Sequence, residues 1–303
     1  MRNGKISNLA QVASVRRYTL TEGRGKGLDV IDCDNGKVRF LLNVSKGLDM
    51  MQLYHEGQNV SFLSKNAFVS KEDAFLNRFE GGMLYTCGLE NAGGRDGFVQ
   101  HGRLHTLPAE IVRAECTETE IVVEGVVRDS ALFGQNLALR RKYTAKLGVG
   151  EVVLEDTLVN ESYADGEYCL LYHINSGYPM LDDGAKIELE AESIEPCGEW
   201  AKENLYRLYD VCAPTVKETE TCYYFSLKTP VVSLRNEKLG KKFTVRYSAE
   251  TLPCFLMWKS FACGDYALGF EPCTSKIGEN LVMQPIGAGE RKTFTVKFTV
   301  EKI

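Results

Sequence analysis

The sequence predicts an all-β protein built as a large antiparallel β-sandwich, and three observations carry that expectation. Apolar and polar residues alternate with period two along most of the chain, helical stripes are few and short, and no stretch rich in Pro, Gly or Ser divides the 303 residues. So many strands must hide their edges, which two large sheets packed face to face or a closed barrel would achieve. One domain over 1–303 is expected, with 1–36 as an N-terminal extension packed on it.

The elements follow in order. SNLAQVASVRR (7–17) carries a short helical stripe, and KVRFLLNV (37–44) is the first clear β-run. Between 78 and 110 the texture changes: seven glycines and few long apolar runs predict irregular chain of the kind that approaches a ligand closely. TEIVVEGVVRD (119–129), NLALRRKYTAKL (136–147) and EVVLEDTLVNE (151–161) read as three neighbouring antiparallel strands, with LGVG (147–150) as a hairpin loop. Further β-runs are EYCLLYHI (167–174), KIELEAES (186–193), CYYFSLK (222–228), KFTVRYSA (242–249), PCFLMWKSF (253–261), DYALGFEP (265–272) and KTFTVKFTVEKI (292–303). AKENLYRL (201–208) is a second short helical candidate, and neither candidate is long enough for a parallel α/β architecture.

Composition is that of a globular chain with a substantial core, 44% hydrophobic and 25% charged. The formal net charge is -5, with basic and acidic residues interspersed, which excludes nucleic acid and anionic membrane as natural partners. The N-terminus has no apolar segment of signal-peptide length, and no long uncharged apolar run occurs, so a soluble cytoplasmic protein is expected. Ten cysteines without a CxxC pair read as reduced thiols rather than a disulfide framework or a zinc site.

Four histidines frame the chemistry. His173 ends an apolar run in LLYHINSGYP, where a charged imidazole would lose solvation, so it is either a hydrogen-bonded core residue or a proton carrier. His101 and His105 in QHGRLHTLP could share a face, but the glycines and Pro108 argue against a helix and no HExxH pattern appears; no metal is expected. His55 sits beside a turn and reads as a surface residue. Glu271 in GFEPCTS follows an apolar strand and precedes a proline that presents it at a strand end, where apolar walls would raise its pKa and suit it as a general base. GRGKGLD (23–29) looks loosely phosphate-binding yet matches neither glycine-rich phosphate motif, and is read as a loop. No GxSxG elbow or cysteine-nucleophile signature is present.

Taken together, GLDM (47–50), GGMLYTCGLENAGG (81–94), HGRLHTLPAE (101–110), LLYHINSGYPML (170–181) and LGFEPCTS (268–275) resemble the aldose 1-epimerase (galactose mutarotase)-like superfamily, closest to a bacterial branch of unassigned substrate. The resemblance implies the large sandwich sometimes called a supersandwich. It also implies Glu271 as general base, His173 as general acid, His101 as a second histidine on the sugar and Arg78 as a hydroxyl contact. Where the family uses a sugar-binding aspartate, this chain offers Glu220 and, more weakly, Asp210; Lys259 is a further hydroxyl or anion contact.

The activity so implied is an isomerase that interconverts the anomers of a monosaccharide through ring opening, with no cofactor, a small-molecule sugar as partner and a homodimer left open. Both titrating groups are expected near neutrality, since each alternates between donor and acceptor. Three rivals stand beside this reading. They are an epimerase of a phosphorylated or otherwise modified sugar, which would need a further cation such as Arg95, Arg103 or Lys259; a carbohydrate-binding protein without catalysis; and a polysaccharide lyase.

Overall fold

The computed structural model describes residues 4–71 and 73–303, and they form three antiparallel sheets of five, eight and seven strands with a small two-stranded pair, Phe62–Leu63 with Gly81–Gly82. The eight-stranded sheet contains the meander that the alternation predicts: Ala109–Cys116, Glu120–Ser130, Asn136–Lys146 and Glu151–Asn160 are successive neighbours, and the turn at 147–150 closes the last hairpin. Arg291–Lys302, Lys241–Tyr247, Val231–Asn236 and Lys186–Glu188 continue it. The seven-stranded sheet runs Ala191–Pro196, Thr221–Leu227, Cys254–Ala262, Asp265–Cys273, Gly166–Ser176 and Gln284–Ile286, with Leu84–Leu89 pairing along the rest of the Gly166–Ser176 edge.

One contiguous core joins the sheets. Val123, Leu139, Leu154 and Phe298 from the eight-stranded sheet share it with Tyr172, Ile174, Phe255 and Phe270 from the seven-stranded sheet and Phe40 and Leu53 from the five-stranded one. Truncating an aromatic such as Phe270 to alanine there costs about 3–5 kcal/mol, from lost transfer energy plus the cavity. Because side chains alternate across a strand, sending Tyr172 and Ile174 into this core sends Leu171, His173 and Asn175 to the opposite face. On that face Tyr85, Cys87, Cys169, Leu171 and Cys273 form a second, smaller cluster, with Phe75, Phe79 and Ile277 packed onto it.

Several local expectations change. Residues 7–17 hold only a single turn of 3-10 helix, Leu9–Gln11, before the strand Ser14–Thr19, because pairing with Asp29–Asp34 satisfies that backbone better than a short isolated helix can. Those two strands are integral to the five-stranded sheet, so residues 14–34 do more than pack on it as an extension. The run 186–193 splits between two sheets, Lys186–Glu188 in one and Ala191–Pro196 in the other. The glycine-rich stretch 78–110 contains a fully buried strand, Leu84–Leu89, whose two buried faces erase the alternation that would have revealed it. His55 is buried, not at the surface: the Lys241 ammonium donates to its Nδ1 at 2.9 Å and to its carbonyl at 2.6 Å. No helix among the described residues is long and apolar enough to cross a membrane.

Candidate active site

The outer face of the seven-stranded sheet carries the site, and strand register assembles it. His173 pairs with Tyr85 across one edge of its strand, and the register that joins Leu171 to Cys273 and Ile174 to Phe270 brings it opposite Glu271 across the other. Glu271 is paired in turn with Leu256, and Leu256 with Tyr224. His173 Nε2 lies 3.3 Å from Glu271 Oε1. The contact falls short of a well-formed hydrogen bond: Glu271 Oε1 and His173 Nδ1 are both buried with no hydrogen-bond partner. Gly269 makes the arrangement possible, since a Cβ there would come within 2.5 Å of Glu271 Oε1. Glu271 is not at a strand end as the proline implied; the strand runs on through Pro272 to Cys273.

Aromatic rings wall the pair. Phe79 and Trp258 approach His173 at centroid distances of 5.5 and 5.3 Å, and His101 meets it edge-on at 5.8 Å. His101 sits in a left-handed backbone conformation, φ 62°, next to Gly102, where a Cβ would run into the Gly88 and Asn91 carbonyl oxygens; such strain is characteristic of functional loops. The Gly93 amide donates to His101 Nδ1 at 3.3 Å, so the neutral ring carries its proton on Nε2. Arg78 ends the short helix Phe75–Arg78, is 3% exposed, and donates from Nη1 to the Tyr85 hydroxyl at 2.7 Å. Glu220, exposed at the rim, accepts from the Trp258 indole at 2.7 Å.

Burial governs the titration of the pair. It pushes the Glu271 carboxyl well above the usual carboxylate range, with the Glu220 charge adding to the effect. It also holds His173 down to about 3, with His101 contributing, and His101 down to about 4, with Arg78 contributing. The expectation that both groups titrate near neutrality is therefore not met: burial moves them in opposite directions. Low dielectric favours the neutral pair, a carboxylic acid beside an imidazole. The ion pair, carboxylate beside imidazolium, contains the same single proton, so one proton transfer interconverts them.

The structure thus brings His173, Glu271, His101, Arg78 and Glu220 to one region. It does not bring Lys259 there. Trp258 faces the site, so its neighbour points through the sheet, and Lys259 Nζ donates to the carbonyls of Arg207, Leu208 and Asp210 at 2.8–3.0 Å as a buried clamp on that loop. Asp210 goes with it. His105 is not paired with His101 as a ligand set: its Nδ1 lies 2.6 Å from Asp49 and its Nε2 3.2 Å from Glu80, and its ring stacks on Tyr85 at 3.7 Å. Among the described residues no three His, Cys, Asp or Glu side chains are grouped to hold a metal ion. Trp258, Phe79, Tyr85 and Asn175 went unnoticed in the sequence. The parity of the 254–273 hairpin would have found Trp258, since a register pairing residue 256 with 271 puts 258 and 271 on one face.

The fold is that of a galactose mutarotase-like β-sandwich. By structure the chain is similar to a candidate aldose 1-epimerase from Klebsiella pneumoniae, with TM-score 0.85 and 20% identity over 97% of this chain and 86% of that one. It is also similar to a galactose mutarotase-like protein from Clostridium acetobutylicum, with TM-score 0.75 and 13% identity over 97% and 100%, and to galactose 1-epimerase from Lactobacillus acidophilus, with TM-score 0.68 and 15% identity over 96% and 99%. At such identities the likeness is one of fold. No curated protein matches the chain. Residues 25–300 match the family described as a domain of unknown function (DUF4432), and the chain belongs to that family.

Proposed function

We propose that the protein is an aldose 1-epimerase-like isomerase that interconverts the anomers of a monosaccharide by acid/base catalysis through ring opening. The observation that carries this reading is the buried His173–Glu271 contact, 3.3 Å long, with an acceptor and a ring nitrogen left unpartnered beside it. A sugar hemiacetal presents the two atoms such a pair needs, a hydroxyl that loses a proton and a ring oxygen that gains one.

Glu271 as carboxylate takes the proton of the C1 hydroxyl while His173 as imidazolium gives one to the ring oxygen, and the ring opens. The pair is then neutral, the state that burial favours, and rotation about C1–C2 followed by reversal of both transfers closes the ring on the other face. Polar sugar atoms entering the site restore solvation to the ion pair, and each positioned proton transfer contributes on the order of a hundredfold to ten-thousandfold. His101 Nε2–H and the Arg78 guanidinium serve as donors to sugar oxygens, Glu220 as an acceptor at the rim, and Trp258 offers an apolar face for C–H groups. His173 and Glu271 are 5% and 1% exposed, with Phe79 and Trp258 packed beside His173.

Polarimetry and exchange NMR on a broad panel of freshly dissolved aldoses test the reading. Acceleration of at least one sugar is expected. If calorimetry detects sugar binding while no member of the panel is accelerated, the protein is a carbohydrate-binding module and the catalytic reading fails.

A further inference from the structure

Lys26, Lys46, Lys71 and Arg78 line a cavity of ≈ 130 Å³ together with Gly27, Leu28, Ser45, Ser70 and Thr106. The loop that supplies Lys26 is the glycine-rich GRGKGLD (23–29). It does not work as a backbone cradle: the amides of Lys26, Gly27 and Leu28 are bonded to the carbonyls of Gly23, Leu20 and Gly25. Recognition here therefore falls to side chains.

Among the described residues that line the cavity, every charged side chain is basic. Two of the four cations are buried, Lys46 at 5% and Arg78 at 3% exposed. Among the described residues the carboxylate paired with one of them is Glu80, and it is already shared: Lys46 Nζ lies 3.3 Å from Oε2, the Val69 amide donates to the same oxygen at 3.2 Å, and His105 Nε2 lies 3.2 Å from Oε1. Arg78 spends one bond on the Tyr85 hydroxyl. Ser45 Oγ accepts from the Asp29 amide, which leaves its own hydrogen free to donate. Four like charges converging on a small space repel one another, and a small oxyanion offering several acceptor atoms relieves that repulsion while taking charge-assisted hydrogen bonds. The cations named from sequence for such a role are committed elsewhere: Arg103 to Glu90 and Asp129, Arg95 over the Phe98 ring, and Lys259 to three carbonyls.

The geometry points to an oxyanion-binding pocket formed by Lys26, Lys46, Lys71, Arg78 and the Ser45 hydroxyl, which takes a phosphate, sulfate or carboxylate group either free or carried by the sugar. Arg78 lines this pocket and also holds Tyr85 in the candidate active site, so a sugar-borne anion could address both at once. That second source rests on the proposed sugar reading; the pocket itself does not.

Titration calorimetry of the full chain with inorganic phosphate, and separately with sulfate, at low ionic strength tests it. Millimolar or tighter binding is expected, weakened on the order of tenfold or more in the Lys26→Ala/Lys71→Ala double variant, whose exposed positions leave folding intact by circular dichroism. A wild-type protein that takes up neither anion at millimolar concentration, or a double variant with unchanged affinity, overturns the proposal. Further arms compare a hexose phosphate and a hexuronate with the parent neutral hexose. Tighter binding of the anionic sugar than of free phosphate, lost in the double variant, identifies the sugar as carrier; equal affinity identifies a free anion. Loss of the mutarotation reading would leave the phosphate result standing, so the two failures are distinguishable.

Discussion

Two buried polar clusters lie close together in this molecule, and they are built on opposite principles. In the first, Arg141 donates through all three nitrogens, to Asp156, Asp49, Thr86 Oγ1 and the Gly47 carbonyl, while Tyr172 adds a bond to Asp156 at 2.8 Å and His105 bridges Asp49 and Glu80. Burial pushes the Asp49 carboxyl up, but Arg141 and His105 outweigh it and hold it below its ordinary range; His105 and Lys46 do the same for Glu80. In the second cluster His173 and Glu271 leave Nδ1 and Oε1 without partners, and burial drives each toward its neutral form. A saturated network is a structural device. An unsaturated one, equally deep, is the feature on which the proposed proton chemistry rests.

The sharpest way to break the comparison is to remove one group from each cluster. Glu271→Gln keeps shape and neutrality, so Tm should hardly move, while any mutarotation measured by polarimetry should fall on the order of a hundredfold to ten-thousandfold. Unchanged turnover would remove Glu271 from the chemistry. Arg141→Met does the reverse: it strands Asp156 as a buried carboxylate without a cation and leaves Asp49 only His105 and Thr86, costs about 3–5 kcal/mol by urea unfolding, and should lower stability whether or not the protein is an enzyme.

Acid stability separates the clusters next. His173, His101 and His55 are held down to about 3, about 4 and about 4, chiefly by burial, so their contribution is full above the unfolded value of 6.5 and is lost as pH falls toward 4 and 3. Glu271 acts in the opposite sense, stabilising below 4.5 and losing that contribution as pH rises through its elevated folded value. A wild-type Tm that falls between pH 6.5 and 4, and less so in His173→Asn, is the expected pattern; equal losses would disconnect His173 from it.

The smallest effect concerns Asn175. Its amide nitrogen donates to the Gly82 and His173 carbonyls at 3.2 and 3.0 Å, which pins the side chain, and its Oδ1 is buried and unpartnered two residues along the same face from His173. Asn175→Asp should raise the His173 pKa by about 1–3 units, read by NMR titration of the imidazole. No movement would mean that Oδ1 does not face the ring.

How much of this was legible beforehand follows from what each signal depends on. Alternation over 119–161 gave the meander because one face of each strand meets the core, whereas Leu84–Leu89, buried on both faces, left no such trace. His173, Glu271, His101, Arg78 and Glu220 converge, but Lys259, adjacent to Trp258, lies on the wrong side of the sheet, a matter of parity that one residue reverses. His55 beside its turn looked exposed because nothing local shows that Lys241, far along the chain, covers it.

The amino-acid order alone determined the class of architecture, since period-two patterning and short turns are local properties of the chain. It also determined which residue types were available for proton chemistry. Tertiary structure decided the rest: which histidines are saturated and which are left with free nitrogens, that burial would favour a neutral acid beside a neutral imidazole, and that Lys26, Lys46, Lys71 and Arg78 would share one cavity. These depend on strand register and on desolvation by residues distant in the chain, and neither is encoded in any single stretch of it.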